Sequence, residues 1–270
     1  MADARVARPE VVHGIDALER GHGRLFIVVG VFDGLHLGHA YLLRHLKAAA
    51  RERSARTTVI TFDHHPDEIL IGAAPPLLCD PDERLELLAR AGVDVTIVQT
   101  FDAALRMTPY DAFIRRIDDR VDLAGFLMTP DAALGHERLG TPATVAALGV
   151  ELGYEVVIVP PMDFGGHPVR SGEIRAAIAS GDLRRAAGML GRPYVVRGFV
   201  DQAGVSDVDL RLPMPVALPP RGSYPVRVES ASDASNVRSD VASIGGDGTV
   251  RLRDGAFEAT PAEVRVTFES

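Results

Sequence analysis

Five short apolar runs, separated by segments that carry a helical hydrophobic stripe, limit the fold more than any other feature of the chain. The runs are 25–32 (LFIVVGVF), 57–62 (TTVITF), 93–99 (VDVTIVQ), 125–129 (GFLMT) and 155–159 (EVVIV). They are β-branched or otherwise apolar and too continuous for a sheet with one wet face, so they suit strands buried on both sides. Between the first two, Leu42, Leu43, Leu46, Ala49 and Ala50 form a stripe at helical spacing. Asp80-Pro81-Asp82-Glu83 places a cap, a proline at the first helical position and a capping-box acid in order, and Gly92 closes that helix. Thr108-Pro109 and Thr141-Pro142 repeat the device. Strand and helix alternate five times, which predicts an α/β, Rossmann-like fold on a five-stranded parallel sheet with right-handed crossovers.

The chain then changes character. Helical patterns cover 172–180 and 182–190, the second opened by Asp182 as a cap. Beyond Gly191-Arg192-Pro193 come short alternating runs at 224–228 (YPVRV), 249–253 (TVRLR) and 263–268 (EVRVTF). These predict a small β-barrel domain, with the Ser/Asp/Gly-rich stretch 229–248 as one long mobile loop. The expected division is 1–191 and 192–270.

Charge and composition narrow the partners. Over 270 residues the formal charge is −8 and the basic residues are scattered, which argues against nucleic acid and against an anionic membrane surface. The amino-terminal residues hold no apolar leader, and the run 25–32 is too short to span a bilayer, so a cytoplasmic location is expected. A single cysteine, Cys79, allows no internal disulfide and reads as a small buried hydrophobe. Lys47 is the only lysine and no P-loop pattern occurs, so phosphate would be held by arginine, histidine, backbone N–H groups or a metal.

In open α/β sheets ligands bind beyond the carboxyl ends of the strands. The residues found there are polar and distinctive. The first strand leads into Gly30-Val31-Phe32-Asp33-Gly34-Leu35-His36-Leu37-Gly38-His39, the second into Asp63-His64-His65-Pro66, the fourth into 129–135 with Asp131, and the fifth toward Ser171 and Arg175. Gly34 and Gly38 permit a tight turn and close approach of a ligand to backbone, and a helix start favours an anion. His36 and His39 could then donate to phosphate oxygens on which charge builds. The structural reading of the same pair is that they cap the helix or pack in the turn.

GVFDGLHLGH, followed by TFDHHP, SGEIR and LGRPY, resembles the bacterial bifunctional riboflavin kinase/FAD synthetase family, in order over nearly the whole chain. The resemblance implies an H-x-G-H nucleotidylyltransferase that moves AMP from ATP onto FMN with Mg²⁺, followed by a barrel of the riboflavin kinase type. It implies His36, His39 and Arg175 as catalytic residues. It implies ATP contacts for Gly30, Phe32, Asp33, Gly34, Gly38 and Ser171, and FMN contacts for His65, Pro66 and Asp131. Metal ligands are not assigned, and oligomeric state is not legible.

The match is uneven. His64 stands where proline is usual, the family's I-S-S-T-x-I-R becomes Val169 to Arg175 without its threonine, and both phenylalanines of G-x-D-F-x-F-G are lost from 129–135. The kinase segment G-x-P-T-A-N falls on Leu212-Pro213-Met214-Pro215-Val216, and Thr249 stands where a glutamate base is expected. Methionine and valine offer no oxygen to Mg²⁺, and threonine is no general base, so loss of kinase activity is expected. Two rival functions remain at this stage: nucleotidyl transfer to another small phosphate ester, and non-catalytic flavin or nucleotide binding.

Overall fold

Arg24–Val29, whose middle residues are buried from end to end, forms an interior strand of a parallel sheet in the computed structural model. The structure describes residues 9–201, 206–230, 237–254 and 262–269. The chain divides into two compact units: 1–32, 38–75 and 85–163 make the first, and 33–37, 76–84 and 164–270 the second.

The sheet belongs to the first unit. Its strands are β1 (Glu10–His13), β2 (Arg24–Val29), β3 (Arg56–Phe62), β4 (Val95–Gln99), β5 (Asp122–Met128) and β6 (Glu155–Ile158). All neighbours are parallel, in the order β1-β4-β3-β2-β5-β6. The sheet therefore has six strands, one more than the five predicted. The extra strand is an edge of four residues with one fully buried side chain, Val12, so it carries no continuous apolar run to betray it. The helices along this part of the chain are α1 (Leu37–Glu52), α2 (Pro66–Ile71), α3 (Pro81–Arg90), α4 (Ala103–Arg106), α5 (Tyr110–Asp118) and α6 (Pro142–Leu152).

Local capping follows the sequence with one exception. The Asp80 carboxylate accepts from the Glu83 N–H at 2.9 Å, and Thr141 from the Thr144 N–H. Thr108 does not cap α5. Its hydroxyl donates instead to the Ala104 carbonyl, closing the short α4. No helix among the described residues is long and apolar enough to cross a membrane.

Strand order places the ligand edge of this unit. The chain runs β2, β3, β4 toward one side and resumes at β5 on the other side of β2. The loops that leave the carboxyl ends of β2 and β5 thus diverge at a topological switch point, the position where parallel sheets open a crevice.

After β6, the hairpin β7 (Asp163–Phe164) and β8 (His167–Pro168) leads to α7 (Ser171–Ala179) and α8 (Leu183–Leu190), the latter capped by Asp182. Six antiparallel strands follow: β9 (Val195–Val200), β10 (Ser206–Leu210), β11 (Gly222–Ser230), β12 (Val237–Ile244), β13 (Val250–Asp254) and β14 (Ala262–Phe268). Their order is β10-β13-β12-β11-β14-β9. Phe199 and Arg211 exchange backbone hydrogen bonds of 2.9 Å, which ties the two edges together and makes the sheet a small, nearly closed barrel. The stretch 229–248 is not one long loop, because β12 lies within it, paired to β11 and β13; residues 231–236 lie outside the described residues. Val226, Val228, Val264, Val266 and Leu252 fill the barrel, and Ile174, Ile178 and Leu190 of the helices share that core.

Candidate active site

The stretch after β2 is bent by backbone that most side chains avoid. Phe32, Gly34 and Leu35 have φ of 54°, 74° and 36°. Glycine takes such angles freely, whereas Phe32 and Leu35 do so at a cost and persist only if the surroundings hold them.

The holding groups of the second unit converge on Asp33, whose residue is 2% exposed. Its Oδ1 accepts the N–H groups of Leu78 (2.8 Å) and Cys79 (3.3 Å), and its Oδ2 faces Arg175 Nη2 at 2.6 Å. Arg175 Nε donates to the Pro76 carbonyl at 2.7 Å, so one guanidinium fixes both the turn and the segment beneath it. The Ser171 hydroxyl donates to the Asp33 carbonyl at 3.3 Å, and the Gly34 N–H points at Cys79 Sγ, 3.2 Å away. A Cβ on Gly34 would stand 2.7 Å from that of Leu78, so the packing as well as the angle demands glycine. Burial pushes the Cys79 thiol up, which keeps it a neutral packing group.

His36 sits within this turn and is 4% exposed. Burial first, and then the positive charges of Arg192 and Arg175, push its ring down to about 4. At neutral pH it is an uncharged imidazole with one N–H donor, beside the arginine that holds Asp33. Asp33, His36, Ser171 and Arg175 are therefore brought together by the fold. Ser171 opens α7 without capping it, and the Arg175 side chain is only 18% exposed, so neither is the cap or solvated charge that spacing alone would suggest.

The other candidates lie in the first unit. Gly30 follows β2, and a Cβ there would meet the Phe32 ring at 3.1 Å. Gly38 and His39 fall in the first turn of α1, with the His39 ring centroid 4.9 Å from that of Phe32. His65 caps α2, its Nδ1 accepting from the Asp67 N–H, and Pro66 is the first residue of that helix. Asp131 is exposed in the loop after β5 and accepts from the Thr129 hydroxyl at 2.8 Å. In the same loop Arg138 reaches back to the Asp131 carbonyl at 3.2 Å.

Sequence reasoning gave no role to Pro76, Leu78, Cys79 or Arg192, all of which act on the turn. The LGRPY motif was a signal for Arg192. Nothing local marks residues 76–79, because their function is to offer backbone to Asp33 across 45 positions of sequence.

The chain matches the FAD synthetase family over residues 19–173. It is 29% identical to a Haemophilus influenzae protein named bifunctional riboflavin kinase/FMN adenylyltransferase, over 83% of this chain and 75% of that one. It is 27% identical to a protein of the same name from Listeria monocytogenes, over 74% and 67%. Among solved structures it shares its fold with one titled macrolide-efflux protein from Streptococcus pneumoniae, at a TM-score of 0.79 and 24% identity, covering 96% and 89% of the two chains.

Proposed function

Since the chain belongs to the FAD synthetase family, we propose that it is an FMN adenylyltransferase, converting ATP and FMN to FAD and pyrophosphate. A phosphate oxygen of FMN attacks the α-phosphorus of ATP in line. The new P–O bond forms as the bond to the β-phosphate oxygen breaks, and pyrophosphate leaves. The attacking group is already an anion, so the protein's contribution is alignment and neutralisation of charge.

One observation carries this reading: the Asp33-centred network sets a neutral His36 beside Arg175 on a strained glycine turn, in the stretch that leaves the sheet at its switch point. His36 and His39 act as N–H donors to the polyphosphate, Arg175 as its cation, and Gly30, Phe32, Gly34, Gly38 and Ser171 as the shape that admits ATP. Asp33 acts by holding the turn rather than by touching nucleotide. His65, Pro66 and Asp131 serve FMN. Magnesium would be carried by the polyphosphate of ATP, where it would supply further neutralisation of charge.

Residues 1–191 carry the transferase and 192–270 a kinase-type barrel that has lost its activity. Supporting that loss, Pro215 and Ala217 bond to the backbone of Leu77, and Leu212 and Val216 pack on the core, where metal and phosphate ligands would be needed. The Thr249 hydroxyl donates to Asp247. The substrates are small molecules and the setting cytoplasmic.

The test is incubation with MgATP and FMN, with FAD read by chromatography. His36→Ala and His39→Ala each lower the rate by about 10²–10³. Protein that binds MgATP and yields no FAD overturns the assignment.

A further inference from the structure

Arg192 follows α8 at a point built for close approach. Gly191 has a φ of 72°, and a Cβ there would stand 2.6 Å from Leu37 Cδ2, so only glycine lets this backbone lie against the end of the 33–37 turn. The next side chain extends to the turn itself: Arg192 Nη1 is 3.5 Å from the carbonyl oxygen of Leu35. Leu35 is the strained non-glycine residue of the turn, and strain of that kind persists only where neighbours oppose its release.

Arg192 also acts through its charge on two buried ionisable groups. One is His36, on which Arg192 and Arg175 are the acting charges, Arg175 being already committed to Asp33 and Pro76. The other is Glu83 in the first turn of α3, 7% exposed, whose Oε2 has no hydrogen-bond partner. Asp80, Arg192, Arg197 and Arg265 act on Glu83, and of the three cations Arg192 acts most strongly. Arg197 pairs with Glu263 and with Asp80. A carboxyl oxygen left without a hydrogen bond in so buried a place is costly, which calls for a role.

We propose that Arg192 is a positioning residue of the 33–37 turn: it fixes the Leu35 carbonyl and holds a permanent positive charge beside the His36 ring. This rests on the reading of that turn as the polyphosphate site, and deepens it. The nucleotide then meets a neutral donor ring whose orientation and protonation are set before it arrives. Lysine cannot replace the planar fork, because its point charge lacks the fixed donor geometry that holds the carbonyl in place.

Arg192→Leu and Arg192→Lys test this with three readouts. Cys79 is the only cysteine and lies against the Gly34 N–H, so its labelling rate by a thiol reagent reports opening of the turn without any need for activity. The His36 ring resonance, identified by its loss in His36→Gln, reports the charge beside it. FAD formation reports the consequence. Arg192→Leu is expected to raise Cys79 labelling about tenfold, to move the His36 titration up by about one pH unit, and to lower kcat about a hundredfold with the KM for FMN unchanged. Arg192→Lys restores the His36 titration but only part of kcat. Unchanged labelling overturns the proposal, and so does faster labelling with an unmoved His36 titration, which is the pattern of a merely structural residue. Should Arg192→Leu not fold, Arg192→Gln is read by the same three measures. A wild-type protein that makes no FAD removes the functional reading, while the first two readouts still decide the positioning role.

Discussion

Arg175 Nη2 lies 2.6 Å from Oδ2 of Asp33, a residue 142 positions earlier that is 2% exposed. Removing the cation leaves a buried carboxylate with only two backbone donors. Loss of one partner from such a pair costs about 3–5 kcal/mol. Arg175→Met is therefore expected to lower the urea midpoint at pH 7 by the equivalent of about 3 kcal/mol, and Asp33→Asn added to it to recover part of that loss. An unchanged midpoint in the single variant contradicts the pairing.

His36 links stability to pH. Its ring titrates at about 4 in the folded protein, down from the ordinary 6.5, because burial disfavours the charged form. Between those values the unfolded chain binds more protons than the folded one, so stability rises with pH across the window and is flat above it. Acidification from pH 6.5 to 4 should cost roughly 3 kcal/mol through this ring alone. His36→Gln removes that slope. Thermal melts at several pH values check it, and parallel acid slopes for the two proteins would refute the burial.

What the sequence showed and hid follows from how each residue earns its place. β2 to β5 were legible because strands covered on both faces must read as apolar runs, whereas β1 has a single neighbour and one buried side chain. β12 was hidden by composition: it buries Ala242 and Ile244 fully, and its remaining positions are Val, Arg, Ser and Asp. At the site, the motif located His36, Ser171 and Arg175, but the part Asp33 plays depends on Leu78, Cys79 and Arg175, partners set by tertiary structure. No local pattern encodes a backbone N–H donated across the fold.

Gly34→Ala tests the turn itself. The residue has a φ of 74°, and the added methyl would meet Leu78 Cβ at 2.7 Å. Left-handed backbone costs a non-glycine residue roughly 1–2 kcal/mol, and the clash adds to it. A loss of at least about 2 kcal/mol in denaturant is expected, together with loss of MgATP binding by calorimetry. Wild-type stability would mean that the turn is not held as described.

Glu83 has the opposite pH sign to His36. Burial raises its carboxyl from 4.5 to about 7, against the attraction of Arg192, Arg197 and Arg265. From pH 4.5 to 7 the folded state holds a proton that the unfolded chain has lost, so stability falls as pH rises through this window and stays low above it. Glu83→Gln removes the ionisation while keeping the shape. It should be near wild type at pH 4.5 and more stable by about 1–3 kcal/mol at pH 8, measured by urea unfolding at both values. Equal gains at the two pH values would show that the carboxyl titrates as it does in water.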